Sequence, residues 1–328
     1  MSGETISFVL PVYNEEAVLP LLIARMKDLI AKLDAEVEVI FVDDGSTDSS
    51  GVFLSQLAKS DPAFRYVALS RNFGQQAAMT AGLEAARGDA VILMDADLQD
   101  PPHVALDLVA KWREGYEVVY ARRIKRDGET IVKKVTSSLF YRLIGHVSSI
   151  EIPRDVGDFR LVDRAALDAF LAMPEQNRFV RGMLAWVGFR QTAVPYHREA
   201  RAAGKTQYNY RKLAKLAGSA LVSFSDVPLR VALWVGAAVS VVAMMFGLYV
   251  IALGLFWREN MVEGWASTMV VVSFLSGVNL LMTGVVGVYV GRIYAEAKKR
   301  PLFIVARKVG FDRAEATQDR SVPLRSAS

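Results

Sequence analysis

The chain has 328 residues, 52% hydrophobic, 10% aromatic and 23% charged, which excludes a disordered chain and is too charged for one lying wholly inside a membrane. It has no cysteine, so disulfides, zinc–thiolate centres, iron–sulfur clusters and thiol nucleophiles are excluded. The net charge of +4 is uneven: residues 196–215 and 292–313 each carry +5, leaving −6 on the remainder, so anionic surfaces are expected beside those two stretches.

The chain opens on a mildly polar segment, residues 1–5, and passes into a short apolar run at 6–10. That start is unlike a signal peptide and reads as a first strand. A helix is expected over 15–33 and a β-branched strand over 37–42, which ends in Asp43-Asp44-Gly45-Ser46. A helix at 48–60, a strand at 64–69 and a helix at 75–87 follow. The fourth strand, 90–94, ends in Asp95-Ala96-Asp97. Pro102 opens a helix to about residue 114, and 118–121 is a fifth strand. This alternation predicts an α/β domain with a largely parallel sheet covered on both faces.

Residues 208–224 place Leu213, Leu216, Ala217, Ala220, Leu221 and Phe224 at helical spacing, with Arg211, Lys212 and Lys215 on the polar side. That pattern suits an amphipathic helix in a headgroup layer, or a helix packed on the domain. Then come 27 uncharged residues between Arg230 and Arg258, and 28 between Glu263 and Arg292. Each exceeds the roughly 20 residues that span a bilayer core, so a two-helix transmembrane hairpin is expected. Trp257 and Trp265 bracket its short linker, as in an interfacial aromatic belt. Arg230, Arg292, Lys298, Lys299 and Arg300 flank the other ends, which by the positive-inside rule puts both ends and residues 1–228 in the cytoplasm of a multi-pass inner-membrane protein. Gly287 and Gly291 form a GxxxG that permits close helix contact within the hairpin or between subunits of a homo-oligomer. The basic stretches flank apolar segments, so lipid headgroups are expected as partners and nucleic acid is not.

In parallel sheets ligands bind beyond the C-terminal strand ends. Strand one ends in Pro11-Val12-Tyr13-Asn14-Glu15, strand two in Asp43-Asp44 and strand four in Asp95-Ala96-Asp97, so several acids converge on one edge. Close carboxylates repel, and a cation relieves them. The three histidines, His103, His146 and His197, show no ligand spacing. Hard oxygen donors suit Mg²⁺ or Mn²⁺, which in such sites typically bridges a diphosphate. GxGxxG and GxxxxGK[ST] motifs are both missing from the sequence. On the residues alone, helix caps and turn acids remain the alternative to a metal–nucleotide site.

The motifs Pro11-Val12-Tyr13-Asn14-Glu15-Glu16, Val42-Asp43-Asp44-Gly45-Ser46 and Asp95-Ala96-Asp97-Leu98-Gln99-Asp100-Pro101-Pro102 resemble those of inverting family-2 glycosyltransferases of the GT-A fold. Ser70-Arg71-Asn72-Phe73-Gly74, Gly157-Asp158-Phe159-Arg160, Phe224-Ser225 and Arg300-Pro301-Leu302 narrow the resemblance to the polyprenyl-phosphate glycosyltransferase branch. That branch holds the bactoprenol glucosyltransferases, with dolichol-phosphate mannose synthases as relatives. The resemblance implies a GT-A catalytic domain over 1–206, a juxtamembrane helix over 207–228, two spans over 229–292 and a basic cytoplasmic tail over 293–328. It implies transfer of a hexose from UDP-glucose to undecaprenyl phosphate, with GDP-mannose as the alternative donor and a non-catalytic nucleotide-sugar binder as the alternative role.

The resemblance also implies roles for particular residues. Pro11, Tyr13, Asn14, Glu15, Asp43, Asp44, Arg71 and Gly74 would surround the nucleotide. Asp95, Ala96, Asp97 and Gln99 would meet the ribose, diphosphate and metal, with Asp95, Asp97 and Gln99 as metal ligands. Arg122, Lys133, Arg201, Lys205 and Thr206 would meet the acceptor phosphate or close over it. The loop Gly204-Lys205-Thr206-Gln207-Tyr208 departs from the family's Gly-Glu-Ser-Lys-Tyr pattern. Asp158, expected in a loop, would act as a base, orient the acceptor or pair with Arg160. A phosphate monoester, with its second pKa near 6, is already mostly ionised at neutral pH and needs little proton abstraction. A processive polysaccharide synthase is disfavoured, because Gln176-Asn177-Arg178-Phe179 does not match the Gln-x-x-Arg-Trp motif of such enzymes.

Overall fold

The computed structural model describes residues 3–124, 156–176, 178–197, 227–256 and 264–311. They fall into two compact units, one of residues 3–124, 156–176, 178–197 and 301–311, the other of 227–256 and 264–300.

The first unit is built on one eight-stranded sheet. In chain order its elements are β1 (Thr5–Val12), α1 (Leu19–Ile30), β2 (Glu36–Asp43), α2 (Ser50–Ser60), β3 (Phe64–Leu69), α3 (Gln75–Ala85), β4 (Ala90–Leu93), α4 (Val104–Arg113), β5 (Val118–Arg123), β6 (Val156–Asp163), α5 (Arg164–Leu171), α6 (Val180–Trp186), β7 (Gln191–Tyr196) and β8 (Val305–Val309). Their spatial order is β7-β5-β6-β4-β1-β2-β3-β8. Strands β1, β2, β3 and β4 pair in parallel, as do β5 and β7, whereas β6 and β8 are antiparallel to their neighbours. The predicted alternation through 124 is found, and the sheet is mostly parallel. Strands buried on both faces read as continuous apolar runs, which is why 37–42 and 90–94 were legible as strands.

Two apolar layers sandwich the sheet. One gathers Phe8, Leu10, Phe41, Phe64 and Phe159 with α1 and α4. The other gathers Val9, Ile40, Val42 and Leu93 with α3, α5 and α6. Full burial of each such side chain is worth about 1.5–3 kcal/mol. Helix α3 rides so close to β1 that a Cβ on Gly82 would stand 2.2 Å from Val9 Cγ1. Asp163 caps α5 by accepting the Ala165 N–H at 2.9 Å.

Two expectations are corrected. Gly157-Asp158-Phe159-Arg160 lies in a strand, β6, and not in a loop. Phe159, Leu161 and Val162 are buried between β4 and β5, and inter-strand pairing overrides the poor strand propensity of Gly and Asp. Part of the stretch expected as a tail, Val305–Val309, is the edge strand β8 on β3. Its Arg307 and Lys308 made it read as tail, yet exposed basic residues are what edge strands carry.

The second unit contains α7 (Val227–Phe256) and α8 (Trp265–Ala297), which pack together. At 1.5 Å per residue they are about 45 and 50 Å long. Within α8, Phe274–Ala297 is long and apolar enough to cross a membrane, and Ala232–Phe246 of α7 is a shorter apolar stretch. Leu233, Trp234, Met244, Phe274, Leu280 and Ile293 are exposed, a larger apolar surface than water-facing helices present.

Candidate active site

Because β6 runs against its neighbours, its N-terminal end meets the C-terminal ends of β1, β2, β4 and β5. One edge therefore collects Pro11–Glu15, Asp43 and Asp44, Asp95 to Gln99, Arg122 and Arg123, and Asp158.

The first two strand ends are laced together. Asn14, at φ 55°, accepts the Thr47 N–H at 2.8 Å on its side-chain oxygen and donates its own N–H to Ser46 Oγ at 3.0 Å. The Glu15 N–H donates to Ser50 Oγ at 3.1 Å. Tyr13 is 42% exposed, its ring open to solvent at the edge. Asp43 is buried. Its Oδ1 accepts the Ser46 N–H at 2.8 Å and its Oδ2 the Tyr66 hydroxyl at 2.9 Å. Burial, then the Asp43 charge, push the Tyr66 hydroxyl well above its ordinary pKa, so it remains a donor.

Asp44 faces the loop after β3. Its two oxygens accept the Phe73 N–H at 2.7 Å and the Gly74 N–H at 2.9 Å. Burial raises its pKa, and those two N–H groups pull it back. The loop crosses the Asp43–Ser46 turn so tightly that a Cβ on Gly45, at φ +73°, would lie 2.5 Å from the Arg71 carbonyl carbon. Arg71 stacks on Phe73 with its guanidinium 3.9 Å from the ring centroid. Asp44, Arg71 and Gly74, predicted around a nucleotide, thus make contacts that shape the loop.

Gly74 leads into α3, whose Gln75 donates Nε2–H to Asp95 Oδ1 at 2.9 Å. Ala96 and Asp97 are buried. Asp97 Oδ1 accepts the Gln99 N–H at 3.1 Å across Leu98, which has φ 58°. Among the described residues no three His, Asp or Glu side chains form a metal-ligand group. The expected donors, Asp95, Asp97 and Gln99, are two carboxylates and one amide, hard oxygens that would suit a small divalent cation without forming a closed protein cage.

At β5 the structure separates two neighbouring arginines. Arg122 is exposed. Arg123 is half-buried, donates Nε–H to the Tyr196 hydroxyl at 3.1 Å and has Nη2 3.9 Å from Asp100 Oδ1. Tyr196 also bonds Asp100, which is buried. Burial opposes the Arg123 charge, but the Tyr196 contact, Asp100 and Asp95 outweigh it and raise the pKa. Of the two, Arg123 is the one set against the acids. Val119 and Ala121 are buried on the side of β5 that Arg123 continues, but Val118 is buried on the other, so alternation alone does not mark which arginine turns inward.

Asp158 Oδ1 accepts from Arg181 Nη2 at 3.1 Å and Nε at 3.4 Å. Its partner is thus Arg181 of α6, and Arg160 instead donates to the Gly157 carbonyl at 2.8 Å. Arg181, Tyr66 and Tyr196 are absent from the sequence expectations because only folding brings them near the motifs, and Gln75, next to Gly74, because only folding sets it against Asp95. Lys133, Arg201, Lys205, Thr206, Trp257 and the helix expected over 208–224 lie outside the described residues. Two hollows, of about 430 and 410 Å³, hold none of the predicted residues.

The family profile for glycosyl transferase family 2 matches residues 7–171. The chain is 45% identical over 314 residues to the uncharacterized glycosyltransferase YkcC of Bacillus subtilis, covering 96% of this chain and 97% of that one. It is 40% identical over 302 residues to the prophage bactoprenol glucosyl transferase homolog of Escherichia coli, covering 92% and 98%. To the bactoprenol glucosyl transferase of Shigella phage SfII it is 40% identical over 302 residues, covering 92% and 97%.

Proposed function

The chain belongs to glycosyl transferase family 2, and from that premise we propose that it moves glucose from UDP-glucose to a polyprenyl phosphate at the membrane surface. The observation that carries the reading is the single edge where Asp43, Asp95, Asp97, Arg123 and Asp158 converge, in a chain that matches bactoprenol glucosyl transferases over nearly its whole length. The acceptor class comes from those relatives' names; the donor rests on the sugar that they name.

In the proposed reaction an acceptor phosphate oxygen attacks C1 of the sugar. The new C1–O bond forms as the bond from C1 to the diphosphate breaks, and the nucleoside diphosphate leaves with inversion. Asp43, held by Ser46 and Tyr66, presents a fixed acceptor to a nucleobase N–H. Asp95 and Asp97, with Gln99, would hold Mg²⁺ or Mn²⁺, which supplies charge neutralisation to the departing diphosphate. Arg123, kept cationic by Tyr196, Asp100 and Asp95, adds a fixed positive charge beside them. Arg122, Lys133, Arg201, Lys205 and Thr206 are our choices for acceptor contacts. Asp158 orients the acceptor in this scheme, since an ionised phosphate needs no strong base.

We assign α7 and α8 as two spans of one hairpin, with the catalytic unit and both flanks on the cytoplasmic side. Their lengths, exposed apolar side chains and flanking basic residues support this. An anchored enzyme meets its lipid acceptor at raised local concentration. The test is the purified full chain with a panel of labelled sugar nucleotides and undecaprenyl phosphate. Label from UDP-glucose in the lipid extract is expected. Lipid label from GDP-mannose alone would overturn the donor, and none from any nucleotide sugar would overturn the reaction.

A further inference from the structure

The Asp158–Arg181 pair has more cation around it than a simple ion pair needs. Arg160, two residues along β6, is fully buried. It has one hydrogen bond, to the Gly157 carbonyl, and its Nε has no partner among the described residues. Burial lowers its pKa to about 10, which still leaves it charged at neutral pH. Two guanidiniums thus face one carboxylate, and Asp158 Oδ2 has no hydrogen bond among the described residues. Burying a surplus charge is unfavourable, so this arrangement adds little to stability.

Arg181 is itself held in place. The Val180 N–H, one residue before it, donates to Gln76 Oε1 at 2.9 Å. The adjacent Gln75 is the donor to Asp95. The first two residues of α3 therefore grip Asp95 and the start of α6. The β4–β6 register pairs Leu93 with Arg160, so Asp158 lies beyond the last paired residue, towards the edge that carries Asp95.

We propose that Arg181 is a positioning residue for sugar transfer. It holds Asp158 by one oxygen, turns the other towards the acceptor and offsets the carboxylate charge that would repel an incoming phosphate. The inference rests on the transfer reaction proposed above. An anion entering beside an uncompensated carboxylate is disfavoured, and a misaligned acceptor loses rate steeply.

The test uses the full chain in nanodiscs with UDP-glucose and undecaprenyl phosphate. Arg181→Gln is expected to lower kcat by about 10²-fold and raise the acceptor KM, with the donor KM within about twofold. Arg181→Lys, which retains one charged contact, is expected to recover much of the loss. The Asp158→Asn/Arg181→Gln double variant is expected to be no worse than the poorer single variant, as linked residues behave. The inference is overturned if Arg181→Gln leaves kcat and acceptor KM unchanged. It is equally overturned if donor KM and melting temperature move together with kcat and Arg181→Lys restores nothing, which is a structural role. Full activity in Asp158→Asn would overturn the use of Asp158 in the reaction; a damaged Asp158→Asn beside a normal Arg181→Gln would overturn Arg181 alone.

Discussion

The two sides of the catalytic edge hold their charged groups by different means. On the side formed by β1, β2 and β4, carboxylates are gripped mainly by backbone N–H groups, Asp43 by Ser46, Asp44 by Phe73 and Gly74, Asp97 by Gln99, with the Tyr66 and Gln75 side chains added on Asp43 and Asp95. On the side formed by β5, β6 and β7, they are gripped by side chains: Asp158 by Arg181, Asp100 by Tyr196 with Arg123 alongside. Backbone clamps persist whatever side chains the clamping residues carry, so that side is set by loop geometry. Side-chain clamps vanish with one substitution, so the other side is open to point mutation and to tuning.

The sharpest break of this comparison is at Asp97. Asp97→Ala removes a proposed cation ligand worth several kcal/mol of charge stabilisation. Sugar–lipid formation should fall about 10³-fold. Chelation should abolish the wild-type rate, and Mg²⁺ or Mn²⁺ should restore it. Retention of a large share of turnover by Asp97→Ala would remove that acid from the site.

The arginine pair comes next. Arg123→Gln should lower turnover by about 10²-fold, because a half-buried cation beside developing negative charge is lost. Arg122→Gln should cost less, within about fivefold and mainly in the acceptor KM, since an exposed charge contributes less than a half-buried one. The opposite ranking, in the same lipid-extraction assay, would reverse the assignment made from the Tyr196 and Asp100 contacts.

Asp44→Ala probes the backbone-clamped side. Leaving the Phe73 and Gly74 N–H groups without their acceptor should cost about 1–3 kcal/mol. A lower melting temperature by scanning fluorimetry and a raised donor KM are expected. An unchanged melting temperature would show that the loop keeps its shape without the clamp.

Tyr66→Phe should have the smallest effect of those that matter. It deletes one hydrogen bond to Asp43, about 0.5–1.5 kcal/mol, or up to about tenfold in donor affinity. Titration with UDP and steady-state KM measure it, and kcat should barely change. A large kcat loss would mean that Asp43 does more than hold the nucleotide.

Legibility in the sequence followed the range of the interaction. Asp43 to Ser46 and Asp97 to Gln99 are turns of two or three residues, closed by the acids' own neighbours. Such motifs can be read from spacing. Arg181 lies 23 positions from Asp158, and Tyr196 lies 96 from Asp100; nothing local marks those pairs. The strand at Val156–Asp163 was missed for the same reason, since its Gly, Asp and Arg residues are tolerated only between two paired neighbours.

By itself the sequence determined the parallel α/β alternation, the acids at the ends of the second and fourth strands and the two long uncharged runs, because each is a periodic or contiguous pattern imposed by solvent exclusion. Only the tertiary structure decided which way β6 runs, which arginine turns inward and which cation meets Asp158. Those outcomes depend on partners far along the chain, whose proximity exists only once the sheet has closed.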